Sequence, residues 1–349
     1  MEGLISIYRF RFVIRMQYTL FLWPHANARY QAETVKLARA ELALMLAKTG
    51  VEFEIAEEES HGVPALQLNA AVILSDEVLS SIAGHSLFYL FAERRADGAF
   101  LPLVSRREVC VGRDLPAIQK YSGKTNEVFT DFLLNAALYS SRFNGKEGIR
   151  FLDPMCSRGT GLFLALNRGW EVVGSDIDKK ALVEGEVFFR KYLEYHKFKH
   201  EKSTGSLSMP GGKSAPFVRY ELARDKDAWK AGERQVYQTA NLDAVNVRSA
   251  FGRRAFHLMT ADLPYGVQHG LRGKEALALL KRALPEWKEA LKPGGSVAVS
   301  FNSLTLPRED VLRAMEDAGL IAMTGGAYDG MSHWVEQAIV RDVAVGVRE

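Results

Sequence analysis

Apolar runs of strand length alternate with longer segments of helical periodicity over the second half of the chain. Strands are predicted over 151–153, 171–176, 234–239, 255–260 and 296–301, and helices over 180–197, 274–291 and 308–318. Strands that alternate with helices indicate an open α/β sheet. The last apolar segments, 321–325 and 333–345, predict an antiparallel hairpin that closes this sheet.

The first hundred residues have a different pattern and predict a small α+β module. Its strands are predicted over 17–23, 53–56, 66–68, 71–74 and 87–92, and its helices over 32–48 and 78–84. No motif with recognisable chemistry falls in this module. Its histidines are scattered along the chain and do not form a set of ligands. We therefore expect a possible substrate-handling module at 1–110, a linker and helix at 111–150, and a second domain at 151–349.

Composition excludes several classes of protein. Apolar residues make up 47% of the chain and charged residues 25%, which is ordinary for a globular domain. The two cysteines, Cys110 and Cys156, provide neither a disulfide framework nor a metal-ligand set, so we expect no metal and a reducing, cytoplasmic location. Apolar runs are too short to span a membrane. Arginines interrupt the apolar N-terminus, which disfavours a signal peptide, and Met16 is the expected working start.

The stretch from Phe151 to Asp178 has the pattern of a nucleotide-binding unit: strand, small-residue loop, helix, strand and terminal acid. Glycines at 159 and 161 would let the backbone approach a ligand closely. The nicotinamide fingerprint G-x-G-x-x-G fails here, because Leu164 occupies its third glycine position. The acid at the first strand end, Asp153, suits a cationic ligand better than a pyrophosphate.

A second motif, D-L-P-Y, follows the strand predicted over 255–260. An exocyclic base amine is a poor nucleophile, since its lone pair is delocalised into the ring. The Asp262 carboxylate and the Leu263 carbonyl, directed by Pro264, could accept its two N–H bonds and stabilise developing positive charge. Tyr265 would offer a ring on which a flipped base stacks. These four residues are the predicted catalytic set.

Positive charge is concentrated between Lys179 and Arg234. That stretch holds thirteen Lys or Arg against eight Asp or Glu, a net charge of +5 in a chain whose total is +3. Aromatic residues and histidines lie among them, which suits a nucleic-acid partner. The segment 200–215 within this stretch is rich in glycine and serine, and it is predicted to be a loop.

The loop after Asp153 resembles the D-P-x-C-G-S-G-T loop of class I methyltransferases that act on amino groups and use S-adenosyl-L-methionine (SAM). Here it reads D-P-M-C-S-R-G-T, with Arg158 in place of a small residue. Together with D-L-P-Y, residues 121–345 resemble the RNA methylase family that includes the THUMP-associated tRNA guanine-N2 methyltransferases. The first hundred residues depart from that family, being too short for its usual tRNA-binding appendage plus a linker domain.

The resemblance implies a class I methyltransferase (Rossmann-like) sheet, SAM as cofactor and RNA, specifically tRNA, as partner. It implies that the Lys124-Thr125-Asn126 segment lies on the cofactor side, that Asp176 binds the ribose, and that Asn241, or failing that Asp243, contacts the adenine. The full set of implied cofactor residues is Thr125, Asp153, Pro154, Cys156, Ser157, Gly159, Thr160, Gly161, Asp176, Ile177 and Asn241.

The favoured interpretation is a SAM-dependent methyltransferase acting on guanine N2 in tRNA. The same motif would also serve adenine N6 in RNA or DNA, or a protein glutamine amide. A nicotinamide-dependent oxidoreductase is a further alternative that leaves D-L-P-Y without a role. A non-catalytic RNA-binding protein that keeps the fold is the last.

Overall fold

The computed structural model describes residues 16–25, 28–264 and 273–349, and within these ranges the strands form two sheets. The arginine-broken N-terminal stretch lies outside the described residues. No helix in the described part of the chain is both long and apolar enough to cross a membrane.

The first sheet is antiparallel throughout, with strand order β2-β3-β1-β4-β5. Its elements are β1 (Met16–Leu22), α1 (Ala28–Leu46), β2 (Phe53–Ser60), β3 (Val63–Ala70), α2 (Asp76–Ile82), β4 (Phe88–Arg94) and β5 (Phe100–Val104). The strand predicted over 71–74 is wrong. Leu74 instead turns into the core, where its amide donates to the Tyr18 hydroxyl at 3.3 Å. The edge strand β5 was not predicted.

The second sheet is mixed, and it carries the helices expected of an α/β fold. Its elements are α3 (Leu115–Ile118), α4 (Glu127–Ser140), β6 (Arg150–Asp153), α5 (Thr160–Leu166), β7 (Glu171–Asp176), α6 (Lys179–Tyr195), β8 (Lys199–Ser208), β9 (Ser214–Ala223), α7 (Lys226–Ala231), β10 (Gln235–Asn241), α8 (Val247–Phe251), β11 (Phe256–Asp262), α9 (Gly273–Ala290), β12 (Leu291–Asn302), α10 (Arg308–Asp317), β13 (Ile321–Ala322), β14 (His333–Glu336) and β15 (Ile339–Val347).

The strand order is β13-β15-β12-β11-β6-β7-β10-β9-β8, with β14 paired to β15. Strands β10, β7, β6, β11 and β12 are parallel, and β13, β14 and β15 form the antiparallel end. This is an open, Rossmann-like α/β sheet with an antiparallel C-terminal end, so the predicted fold class is confirmed. The strand predicted over 333–345 is divided by a turn into β14 and β15, and β13 pairs with β15. The chain leaves β6 towards β7 on one side and returns to β11 on the other. Ligands bind at such a switch point in open α/β sheets.

The segment 200–215 is not the predicted loop. It forms most of a hairpin in which β8 pairs with β9 from Lys199↔Ala223 to Ser208↔Ser214, and β9 pairs with β10. Tyr220 and Leu222 of β9 are buried in the core. Pairing with an existing sheet imposes the strand conformation on a sequence whose own propensity is poor.

A buried polar network joins the first module to α4 and α5. The Glu41 carboxylate accepts hydrogen bonds from the Ser86 amide at 2.8 Å and from the Asn135 side-chain amide at 2.5 Å. Arg168 in turn donates to the Asn135 carbonyl oxygen at 2.6 Å. Because buried polar groups are costly unless they are bonded, this network fixes how the two units meet. The boundaries at 110 and 150 stay predictions.

Candidate active site

Three segments meet at the switch point. Strands β6 and β11 are neighbours in register, with Leu152 opposite Met259, so both strands deliver a carboxylate to the same edge of the sheet. The third segment is the start of α4, where Asn126 caps the helix by accepting the Val128 amide at 2.8 Å. The residue before this cap, Thr125, donates its hydroxyl to Asp262 Oδ2 at 2.5 Å.

Asp262 has one oxygen bonded and one left over. Thr125 holds Oδ2, whereas Oδ1 is buried and has no hydrogen-bond partner among the described residues. A buried acceptor without a donor costs free energy, on the order of 1–3 kcal/mol, unless a ligand satisfies it. The oriented, unsatisfied oxygen is therefore a ready acceptor for an N–H group placed at the end of β11.

The rest of the D-L-P-Y motif is positioned by the sheet. The Leu263 amide donates to the Ser300 carbonyl at 2.9 Å, and the Leu263 side chain is buried in the core. Only the main chain of Leu263 is thus left for a ligand. Pro264 follows at the surface end of the strand, and Tyr265, with its predicted stacking ring, lies outside the described residues.

Local backbone geometry and close packing require the glycines of the loop after β6. Gly159 caps α5 with a φ of 94°, in the left-handed region that favours glycine. A Cβ added to Gly161 would lie 2.9 Å from Asp153 Oδ2, so any larger residue would displace this carboxylate. Cys156 is buried beneath the loop, and a Cβ added to Gly174 would lie 2.7 Å from its sulfur.

Asp176 at the end of β7 holds the loop by accepting backbone amides. Its Oδ2 accepts the Ser157 amide at 2.7 Å, and its Oδ1 accepts the Asp178 amide at 2.8 Å. Ser157 has a φ of 47° that points its amide at the carboxylate. Since an ionised carboxylate has about four lone-pair sites, each oxygen can still accept a ligand hydroxyl.

The two acceptors predicted near the adenine are engaged in different ways. The Asn241 side-chain amide donates to the carbonyls of Asp176 and Ile177, at 2.9 and 3.1 Å, which fixes the turn after β7. The Ile177 side chain is 75% exposed, so it presents an apolar surface beside the loop. Asp243 caps the following turn by accepting the Val245 amide at 3.1 Å. Both side chains thus have structural roles, and the preference for Asn241 over Asp243 at the adenine stays a prediction.

Sequence reasoning missed the role of Tyr121 and could not explain Arg158. The Arg158 guanidinium lies 4.4 Å from the centre of the Tyr121 ring and forms an ion pair with Glu184 of α6. The Tyr121 hydroxyl lies 3.3 Å from the Thr160 hydroxyl at the start of α5. The arginine that departs from the methyltransferase loop thus clamps that loop between α6 and the segment preceding α4. Nothing in the sequence around Arg158 indicates that its partner is Tyr121.

Lys124 is drawn away from the loop. Its ammonium donates to the Pro116 carbonyl at 2.6 Å and lies 3.3 Å from the Glu127 carboxylate. Pro154 contributes its carbonyl, which accepts the Ser175 hydroxyl at 3.4 Å. These contacts join the linker and β7 to the loop, and the cofactor roles of the loop residues stay predictions.

Burial and like charge raise the pKa of Asp153 to about 8. Burial is the main cause, the charges of Asp176 and Asp262 add to it, and the hydrogen bond from the Met155 amide opposes it. Burial likewise raises the pKa of Asp176. With a pKa of about 8, Asp153 is largely protonated at neutral pH, and a bound cation would favour its ionised form and so lower this pKa.

The raised pKa of Asp153 predicts how stability depends on pH. The folded protein keeps a proton that the unfolded chain releases above its ordinary pKa of 3.8, so the free energy of unfolding falls as pH rises from there to about 8. Asp153→Asn should remove this contribution, which is at most about 1.4 kcal/mol for each pH unit. Urea unfolding of both proteins between about pH 5 and pH 8 measures it. Parallel stability curves would contradict the assigned pKa.

Many basic residues of the stretch predicted to bind nucleic acid form ion pairs with carboxylates of the same stretch. Lys199 lies 3.3 Å from Glu201, and Lys202 lies 2.9 Å from Glu186. Further ion pairs involve Arg190, Arg219, Lys230 and Arg234. These pairs leave the net charge of +5 unchanged, but they occupy side chains that would otherwise contact a polyanion.

No protein-family model matches the sequence, and no curated protein matches it. The chain is similar to the solved structures of a TehB-like SAM-dependent methyltransferase from Corynebacterium glutamicum, of magnesium protoporphyrin IX methyltransferase from Synechocystis, and of a SAM-dependent methyltransferase from Clostridium acetobutylicum. The identities are 17, 14 and 14%, and the TM-scores 0.34, 0.38 and 0.35. The alignments cover 58, 66 and 57% of this chain and 81, 87 and 83% of the others.

Proposed function

We propose that the protein is a SAM-dependent methyltransferase that methylates an exocyclic base amine of RNA, with guanine N2 in tRNA as the favoured target. The observation that carries the proposal is the buried Asp262 Oδ1, which lacks a hydrogen-bond partner among the described residues and ends β11 at the switch point. A donor on the substrate completes this site, and an amine supplies one.

The residues of the loop fit SAM. Its ammonium and sulfonium groups are cationic, which suits the cluster formed by Asp153, Asp176 and Asp262. The remaining lone pairs of Asp176 suit ribose hydroxyls, and the exposed Ile177 suits the face of an adenine. A nicotinamide dinucleotide would bring a pyrophosphate to these carboxylates, so the same charges argue against it.

When bound, SAM supplies an electrophilic methyl group. The protein's own residues orient and polarise the amine. Thr125 holds the Asp262 carboxylate, whose free oxygen accepts one N–H of the amine, and the Leu263 carbonyl accepts the other. Two acceptors rotate the lone pair out of conjugation and stabilise the positive charge that develops on nitrogen. Asp262 is then within reach of the proton that the methylated amine releases.

The choice of guanine N2 over other amines rests on position 263. Many relatives in the RNA methylase family that this chain resembles read D-P-P-Y, and the D-L-P-Y form resembles the branch that acts on guanine N2 in tRNA. Adenine N6 and a glutamine amide have the same paired N–H geometry and remain the alternatives. The experiment incubates unmodified tRNA with the protein and isotopically labelled SAM, followed by mass analysis of the nucleosides. We expect label in N2-methylguanosine. Label in N6-methyladenosine would support the alternative base, and an unlabelled pool of nucleosides would contradict RNA methylation.

A further inference from the structure

Four arginines line one cavity away from the candidate active site: Arg106, Arg107, Arg113 and Arg168. The cavity of about 70 Å³ lies where the end of α2, the segment after β5, α4 and the end of α5 meet. A single water needs roughly 10–15 Å³ of such space, so there is room for a polyatomic ion.

The positive charge around this cavity is not balanced. Arg168 forms an ion pair with Asp131, the one carboxylate among the lining residues. Within the described ranges, Arg106, Arg107 and Arg113 have no ion pair of their own. Burial lowers the pKa of Arg107 to about 10, and the neighbouring charges of Arg168 and Arg106 contribute to the shift. The guanidinium stays protonated at neutral pH, and a bound anion would offset the unfavourable burial of its positive charge.

Two of the four guanidinium groups are held in place before any ligand arrives, because Arg113 donates to the Arg107 carbonyl and Arg168 donates to the Asn135 side-chain oxygen. The backbone beside the cavity is fixed as well. The Arg107 amide donates to the Ala83 carbonyl at 2.9 Å, and a Cβ at Gly84 would lie 2.7 Å from Arg107 Nη1. Asn167 at the end of α5 accepts the amides of Val111 and Gly112, both at 3.0 Å, and so fastens the linker beside the cavity. Preorganised guanidinium groups lose little entropy on binding.

Guanidinium forks match the oxygens of a phosphate, and several of them can share one such group. We propose that this arginine cavity binds a phosphate group, and that in the enzyme proposed above the phosphate belongs to the RNA substrate. The second half rests on the proposed function. Asp131 lies on α4 four residues beyond Glu127, roughly 6 Å along the helix, and Thr125, which contacts Asp262, directly precedes the helix cap Asn126. A strand with its base at Asp262 thus has backbone phosphates within reach of the cavity.

The test uses Arg107→Gln and Arg113→Gln in the full chain, with Arg106→Gln as a variant at an exposed side chain that spares the fold. Arg313→Gln removes the same charge from an exposed position on α10 and is the matched control. RNA affinity is measured over a series of salt concentrations. For every phosphate interaction that a variant removes, the log–log slope should flatten by about 0.7, whereas the control should leave the slope unchanged.

A second arm replaces RNA with inorganic phosphate and measures the thermal unfolding temperature against chloride at equal ionic strength. Phosphate should stabilise the wild-type protein and the Arg313→Gln control, but not Arg107→Gln. Stabilisation by phosphate with an unchanged RNA slope would keep the phosphate site and overturn its assignment to RNA. No effect in either arm would overturn the proposal. Wild-type protein that fails to methylate RNA but passes the phosphate arm would contradict the proposed function alone.

Discussion

Asp262→Ala should lower the rate of methyl transfer by about 10²–10³, or roughly 3–4 kcal/mol, while SAM affinity changes by less than about threefold. The Asp262 carboxylate interacts more strongly with the amine as the amine becomes cationic, so its loss lowers kcat rather than raising KM alone. Asp262→Asn keeps one acceptor oxygen and should be slower than wild type but faster than alanine. Single-turnover methylation at saturating RNA measures all three.

Two further variants show whether this effect belongs to the geometry described. Thr125→Val removes the hydroxyl that orients the Asp262 carboxylate through Oδ2. It should cause a smaller loss of rate than Asp262→Ala, because the carboxylate is still present and only its orientation is less well defined. Asp317→Ala removes a carboxylate from an exposed position on α10 and should leave the rate unchanged. Wild-type turnover in Asp262→Ala would rule out the mechanism.

Asp176→Ala should weaken SAM binding by roughly thirtyfold or more, on the order of 2–4 kcal/mol. The change removes the acceptors for the ribose hydroxyls, and it also releases the Ser157 amide that shapes the loop. Calorimetric titration with SAM measures the effect, and the free energy of unfolding is determined alongside it to show that the variant is folded.

Asp178→Ala is the matched control for this prediction. Asp178 lies two residues further on and carries the same charge, but its carboxylate accepts the amides of Lys180 and Ala181 at the start of α6. Its loss should cost a helix cap, about 1 kcal/mol of stability, and leave SAM affinity near wild type. SAM affinity in Asp176→Ala equal to that of the control would remove Asp176 from the ribose site.

The elements that carry their own periodicity could be predicted from the sequence. The parallel strands β6, β7, β10 and β11 are buried apolar runs, and each ends in a polar side chain where the sheet opens. The hairpin of β8 and β9 could not be predicted, because its strand conformation comes from pairing with β10 and not from its glycine- and serine-rich sequence.

Contacts between distant segments could not be predicted from the sequence either. Thr125 and Asp262 are separated by 137 positions, and no local pattern indicates that one hydroxyl holds that carboxylate. The same limit applies to charge. The residue count along the chain predicted the main positive patch around Lys199. In the structure, lysines of that stretch form ion pairs with its own glutamates, and arginines from distant segments gather around one cavity.

The loop between Asp153 and Asp176 should bind SAM and not a dinucleotide. Calorimetric titration of the purified wild-type protein with SAM, and separately with oxidised and reduced nicotinamide dinucleotides, measures this preference. We expect one SAM to bind per chain and no heat of binding from either dinucleotide, because the carboxylates of this loop favour a cation over a pyrophosphate. Saturable binding of a dinucleotide that SAM does not displace, or no binding of SAM, would contradict it.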